Sequence, residues 1–127
     1  MNKTLTLQDV KAWLDRYVEA WRANDPALIG ALFTEDAVYH ADPFDDPLRG
    51  RQAIVEAWLA EEMPRTFRTD YQPALVQGDR AFATGSTEYF KEDGSRHSRW
   101  GNAFLLTFDD AGHCREYREW FQKARES

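Results

Sequence analysis

Two polar side chains near the first predicted strand stand at a spacing that suits acid–base chemistry. His40 and Asp42 are two residues apart, which places them on one face if the strand continues, because successive strand residues point to opposite faces. Such a pair can act as acid and base or supply half of a metal site. We expect no metal, since the chain has no His-x-x-x-His spacing and its other histidines, His97 and His113, lie in or near predicted turns.

Asp42, and Tyr17 in the first predicted helix, are both candidates for catalysis that also have a purely structural interpretation. Asp42 directly precedes Pro43, and Asp-Pro pairs favour turns. Tyr17 continues the apolar face of a predicted helix, where it can pack in the core with its hydroxyl hydrogen-bonded. The sequence alone leaves catalysis and structure open for both residues.

The last predicted strand carries two further acids. Glu116 and Glu119 are three residues apart, so strand parity lets only one of them face the interior. The alternating charges over 115–119 equally suit a solvated ladder of cross-strand ion pairs. Cys114 cannot form an internal disulfide, and we expect it to be a small core residue rather than a nucleophile.

Aromatic residues are numerous enough to line a ligand cavity as well as fill a core. The chain contains five tryptophans among 127 residues, and most of its aromatic side chains must serve packing. We predict that a cavity for a small hydrophobic molecule is lined by a subset of them and by one acid: Trp21, Tyr39, Phe44, Trp58, Tyr71, Trp100, Phe104, Trp120 and Glu116.

Length and charge limit the class of protein. A chain of 127 residues with 43% apolar residues suits one domain over 1–127. The net charge of -6 disfavours nucleic acid and anionic membranes as partners. No apolar run approaches the roughly 20 residues that cross a bilayer, and the first residues do not resemble a signal peptide. We therefore expect a cytoplasmic protein with a small molecule as its partner.

Helices are predicted in the first half of the chain. Apolar residues recur at three- and four-residue spacing over 10–21, which indicates an amphipathic helix. Asp25-Pro26 predicts the start of a second helix with an apolar stripe over 28–33. A third helix is expected to begin near Arg51 and to end by Pro64.

Strands are predicted in the second half. A brief strand over 37–41 precedes a Pro- and Asp-rich loop, and from Thr66 onward the apolar period changes to two. Gly78-Asp79 is suited to a tight hairpin turn. Three more strands follow, Arg80 to Phe90, Arg96 to Phe108 and His113 to Gln122. Helices grouped before an antiparallel meander indicate an α+β fold.

This order of elements and three local motifs resemble the nuclear transport factor 2-like superfamily, and its SnoaL-like branch in particular. The motifs are 21–25 (WRAND), 32–39 (LFTEDAVY) and 50–54 (GRQAI). The resemblance implies three N-terminal helices packed on a curved antiparallel sheet, a conical pocket and a homodimer formed through the sheet.

Within that superfamily, two segments look like those of ketosteroid isomerases. By this resemblance Asp42 takes the place of the proton-shuttling carboxylate and Tyr17 that of the phenol that donates to the oxyanion. Phe104 stands where those isomerases carry a second, acidic donor, and Asn102 is a candidate substitute. The chemistry needs a base that takes a proton from carbon and donors for the charge on oxygen.

Two other branches offer different acids. Glu119 resembles the position of one acid of limonene-epoxide hydrolases, but their Arg-x-Asp pair is replaced here by Ser86-Thr87-Glu88. In SnoaL-like cyclases an acid on the last strand acts on a polyketide proton, a role open to Glu116 or Glu119.

The sequence thus favours a cofactor-independent isomerase or cyclase that acts by proton transfer on a carbonyl substrate. Asp42 is the predicted base, assisted by His40, and Tyr17 and Asn102 are the predicted donors. The alternative is a noncatalytic module that binds a small ligand or dimerises. Position in the structure discriminates between them, since the enzyme requires a carboxylate that faces an enclosed space.

Overall fold

The computed structural model describes residues 4–61 and 66–125 of the chain. Its elements are α1 (Leu7–Ala23), α2 (Pro26–Gly30), β1 (Phe33–His40), β2 (Leu48–Arg49), α3 (Arg51–Leu59), β3 (Thr66–Gln77), β4 (Arg80–Phe90), β5 (Arg96–Phe108) and β6 (Cys114–Lys123). The predicted order is confirmed apart from the additional short strand β2, and α3 ends before Pro64, which itself lies outside the described residues. No helix among the described residues is long and apolar enough to span a bilayer.

Helix α1 has well-defined ends. The Thr6 side chain accepts from the Asp9 backbone N–H at 3.1 Å, and the Asp9 carboxylate accepts from the Thr6 N–H at 3.0 Å, which forms a capping box. Asn24 ends the helix in the left-handed conformation, with φ of 52°. Asp25 then caps α2 by accepting from the Ala27 N–H at 2.8 Å.

Helix α2 is shorter than its apolar stripe predicts. It ends at Gly30, and Phe33 already begins β1. The carbonyl of Leu32 accepts from the Trp13 indole N–H at 3.1 Å and from the Cys114 N–H at 2.9 Å. Leu32 and Phe33 are therefore buried by contacts with α1 and the sheet rather than by a longer helix.

One curved, unclosed sheet contains all six strands in the order β2-β1-β6-β5-β4-β3. Strands β3 to β6 form the predicted antiparallel meander. Strand β1 pairs with β6 in parallel, which the sequence analysis did not predict, and β2 forms within the predicted loop. The α+β class and its nuclear transport factor 2-like cone are confirmed.

Helix α1 covers the concave face of the sheet. The Lys11 ammonium donates to the Tyr71 carbonyl at 3.1 Å and the Arg22 guanidinium to the Phe67 carbonyl at 3.1 Å, so two contacts tie α1 to β3. Trp13 is fully buried at the centre of the core. Cys114 is buried as predicted, and burial raises the pKa of its thiol.

Gly85 in β4 permits a close approach of the neighbouring strand. A Cβ atom at this position would lie 2.0 Å from the Asp70 carbonyl oxygen and 2.7 Å from Cδ1 of Tyr71. The Tyr71 ring therefore occupies the space above Gly85, and its hydroxyl reaches Thr87 two residues further along β4. A glycine in this strand allows a tyrosine to lie across it.

We expect Gly85→Ala to lower the free energy of unfolding by about 2 kcal/mol, because the added methyl group must displace backbone and an aromatic ring. Gly101→Ala in β5 is the matched control, since a Cβ there meets no atom within 4 Å, and its change should stay within about 0.5 kcal/mol. Urea unfolding of both variants measures the difference. Equal stabilities would contradict the close approach.

Candidate functional site

A cavity of about 250 Å³ lies between the concave face of the sheet and helices α1 and α3. It is lined mostly by aromatic side chains, with a small number of polar groups among them. Its described lining consists of Tyr17, Trp21, Tyr39, Ala41, Trp58, Glu61, Tyr71, Thr87, Tyr89, Trp100, Asn102, Glu119 and Phe121. Apolar walls with a few convergent polar groups are typical of ligand sites.

A larger groove of about 960 Å³ lies at the other end of the domain, between the start of α1 and the turns that follow β3 and β5. Asp9 in its lining caps α1, Asp109 accepts from the N–H groups of its own turn, and Asp79 pairs with Arg115 at 2.7 Å. The smaller cavity is the better candidate because it alone of the two contains a desolvated carboxylate.

Most of the aromatic residues predicted for the cavity do line it. Tyr17 and Trp21 come from α1, and Trp58 comes from α3. The sheet contributes the predicted Tyr39, Tyr71, Trp100 and Asn102. The structure thus brings seven of the predicted site residues to one space, including both predicted hydrogen-bond donors, Tyr17 and Asn102.

Asp42, the predicted base, lies outside the cavity lining. Its carboxylate accepts from the Phe44 backbone N–H at 2.8 Å and stabilises its own turn, as the Asp-Pro pair allows. Phe44 follows it into solvent and is 94% exposed. The predictions that these two side chains face the cavity are wrong.

His40 is also misplaced in the prediction. Tyr39 and Ala41 line the cavity, so strand alternation turns His40 to the outer face of the sheet. There it lies opposite Arg118 in the parallel register of β1 and β6. Partial burial, and then the charge of Arg118, lower the pKa of its imidazole.

Three further predicted lining residues lie elsewhere. Phe104 is fully buried beneath the cavity, with its ring centroid 5.0 Å from that of Tyr71. Glu116 contacts Arg118 at 3.4 Å, and Trp120 is 42% exposed. Both face away from the cavity because they alternate with Tyr117 and Glu119 along β6.

Glu119 is the acid that faces the cavity, which decides the question that strand parity left open. One carboxylate oxygen accepts from the Tyr117 hydroxyl at 2.5 Å and the other from the Asn102 amide at 2.8 Å. The register of β5 and β6 sets Glu119 directly opposite Phe104.

Two chains of hydrogen bonds lead to Glu119, which we call the two arms of its network. The arm through Asn102 fixes the orientation of the Asn102 amide. The Thr87 hydroxyl donates to the Asn102 carbonyl oxygen at 2.9 Å, so the amide NH₂ must point to Glu119. Because Thr87 has a single hydroxyl hydrogen, the Tyr71 hydroxyl 2.5 Å away is the donor in their contact. The donors from Tyr71 onward are therefore all directed toward the Glu119 carboxylate.

The other arm, through Tyr117, ends at Tyr17. The hydroxyls of Tyr17 and Tyr117 lie 2.9 Å apart, and Tyr17 is the donor because the hydrogen of Tyr117 goes to Glu119. Burial, and then the charge of Glu119, raise the pKa of both phenols well above their usual range. The two tyrosines are therefore hydrogen-bond donors and not bases.

The pKa of the Glu119 carboxyl is raised above its usual value. Burial is the largest cause, while the hydrogen bonds from Tyr117 and Asn102 oppose it. Glu61, also in the lining, raises the pKa further by like charge. A carboxyl group in a cavity with a raised pKa is a candidate for proton transfer.

Sequence patterns leave the choice between Glu116 and Glu119 open, and they assign no site role to Thr87 or Tyr117. Alternation along β6 gives a signal for Tyr117, since it shares a face with Glu119. Thr87 has no such signal, because its role depends on the register between β4 and β5. Among the described residues, no three metal-ligating side chains cluster.

Comparison with known proteins assigns the fold to a family. No curated protein sequence matches the chain. Among the solved structures that match is SalBIII, described as an epoxide hydrolase/cyclase-like enzyme with a role in pyran ring formation in polyether salinomycin. It aligns over 91% of this chain and 92% of its own with a TM-score of 0.67 and 18% identity, a likeness of fold alone.

The sequence profile of the SnoaL-like domain matches residues 14–124, which contain the whole network around Glu119. The curved sheet, the helices that cover it and the cavity between them are the architecture expected of that family. The chain therefore belongs to the SnoaL-like domain family of the nuclear transport factor 2-like superfamily.

Proposed function

We propose that this protein binds a small hydrophobic carbonyl compound in the cavity and transfers protons on it without a cofactor, as an isomerase or cyclase. The observation that carries the proposal is the desolvated Glu119 carboxylate, held by Tyr117 and Asn102 at the wall of an aromatic cavity. Glu119 replaces Asp42 as the general base. The description of SalBIII as cyclase-like supports the same class of reaction.

The proposed reaction begins with loss of a proton from the carbon next to the substrate carbonyl. Glu119 takes this proton, and the electron pair of the broken C–H bond moves to oxygen and forms an enolate. In an isomerase, Glu119 returns the proton at another carbon of the conjugated system. In a cyclase, the enolate carbon bonds to a second carbonyl carbon of the same molecule, and the new alkoxide takes the proton back.

The donors follow the negative charge during this step. While Glu119 is ionised, Tyr117 and Asn102 donate to it in charge-assisted hydrogen bonds, which are about twice as strong as neutral ones. Protonation of Glu119 weakens them, so the Asn102 amide becomes available to the enolate oxygen. Donors placed in a dry cavity stabilise such an oxyanion strongly.

The size of the cavity limits the substrate. Its volume of about 250 Å³ is smaller than the roughly 300–1,000 Å³ of sites for drug-sized ligands. We therefore expect a short-chain or single-ring carbonyl compound rather than a fused-ring steroid.

A noncatalytic binding module remains the alternative, and the position of Asp42 favours it, since the predicted base does not face the cavity. In that case Glu119 and Asn102 only orient a ligand. The predicted homodimer stays a prediction in either case.

Replacement of Glu119 by Gln should lower the rate of proton transfer by about 10²- to 10⁴-fold. Uncharged carbonyl ligands should still bind to this variant. The assay is deuterium uptake from heavy water at the carbon next to the carbonyl, followed by NMR on small cyclic ketones selected by thermal shift. Glu116→Gln is the matched control, with the same change on the outer face of the same strand. A rate of deuterium exchange in Glu119→Gln equal to that of the unchanged protein would contradict the mechanism.

The rate of exchange should rise with pH, since the base must be ionised, and its midpoint should lie above the usual pKa of a glutamate. Thr87→Val should move that midpoint higher and slow the reaction. Without the Thr87 hydroxyl the Asn102 amide is free to turn, and a lost donor raises the pKa of the carboxyl. pH–rate profiles measure both effects.

Thr84→Val is the control for this series, because Thr84 is exposed on the same strand. Its profile should match that of the unchanged protein. An unshifted profile in Thr87→Val would show that Thr87 does not position Asn102.

A further inference from the structure

The described lining of the cavity combines aromatic rings with negative charge. Eight of its thirteen residues are aromatic, two are the acids Glu61 and Glu119, and no Lys, Arg or His is among them. A neutral carbonyl ligand makes no use of the negative charge for binding, and an anion would be repelled by the acids. The combination as a whole suits a positively charged ligand.

The charge of Glu119 is not balanced by a basic side chain of the lining. Its hydrogen-bond donors are a hydroxyl and an amide, both neutral. Neither Arg22, which lies over the Phe67 ring at 4.4 Å, nor Arg68, which pairs with Glu88 at 2.6 Å, is part of the lining. Desolvated charge without a counter-ion attracts a cation more strongly than charge in water does.

Three of the rings form a corner rather than a stack. The planes of Trp21 and Trp58 meet that of Tyr17 at 66° and 86°, with centroids 6.3 Å and 5.0 Å apart. Tilted rings present surfaces in several directions around one space. All three residues line the cavity, and aromatic cages hold alkylated ammonium groups through attraction between the cation and ring faces.

We propose that the cavity selects organic cations, and that its ligand carries an alkylated ammonium group close to the carbonyl. The ammonium group lies against the rings of Trp21, Trp58 and Tyr17, with Glu119 as its counter-charge. The volume of about 250 Å³ accommodates a trimethylammonium group with a short chain. The proposal rests on the ligand-binding part of the proposed function and not on catalysis.

The test compares a cation with a neutral molecule of the same shape. The probes are acetylcholine and its carbon isostere, in which a tert-butyl group replaces the trimethylammonium group. Titration calorimetry of the full chain should give acetylcholine an affinity about tenfold higher, or more. Equal affinities, tighter binding of the isostere, or no binding of either probe would overturn the proposal.

Two variants locate the preference. Glu119→Gln should reduce the ratio of the two affinities several-fold and leave the affinity for the isostere unchanged. Glu116→Gln, on the outer face of the same strand, should leave the ratio unchanged. Trp58→Leu is a second variant with an independent cause, since it removes a ring face and should weaken acetylcholine more than the isostere. A ratio unchanged in both Glu119→Gln and Trp58→Leu would contradict the assignment.

Failure of this proposal and failure of the proposed function give different results. Suppose that neutral ketones exchange deuterium in a Glu119-dependent way but the protein shows no preference for acetylcholine. That result would overturn the proposed cation site and support the proposed proton transfer. A clear preference for acetylcholine without any exchange would keep the cation site and favour the noncatalytic alternative.

Discussion

The hydrogen bonds that Tyr117 and Asn102 donate to Glu119 hold a carboxylate where water does not solvate it freely. A charge moved from water into a protein interior costs several kcal/mol even after relaxation, so it persists only where donors converge on it. Two arms supply them, one through Tyr117 from Tyr17 and one through Asn102 from Thr87. No buried side-chain nitrogen or oxygen in the described part of the chain lacks a hydrogen-bond partner. The cavity therefore contains an ordered network of hydrogen bonds, and its walls are mostly aromatic.

The sheet places this network through its register. Glu119 and Asn102 lie on neighbouring strands, where β5 and β6 are antiparallel, and Thr87 lies on the next strand along. Gly85 lets the Tyr71 ring cross β4 and reach Thr87. Curvature of the sheet and the cover given by α1 then separate these groups from bulk water. The same features that fold the domain also raise the pKa of its candidate base.

Local sequence patterns predicted much of the fold, because they depend on near neighbours. Period-two alternation and turn residues gave β4 and β5 with the observed bounds, and helical spacing gave α1. The parallel pairing of β1 with β6 joins segments far apart in sequence, and nothing in either segment encodes it. That pairing brings Tyr39 onto Tyr117 with ring centroids 4.2 Å apart. The error at Asp42 has a local cause instead, since the backbone N–H of Phe44, two residues further on, donates to its carboxylate.

The central claim is that Glu119 is a desolvated carboxyl whose pKa lies above the usual value. An NMR titration of the side-chain carboxyl carbons in protein labelled at glutamate tests it directly, with the Glu119 signal identified by its loss in Glu119→Gln. The account predicts that this signal titrates above the usual pKa of a glutamate. A Glu119 signal that titrates at that usual value, or below it, would contradict the account.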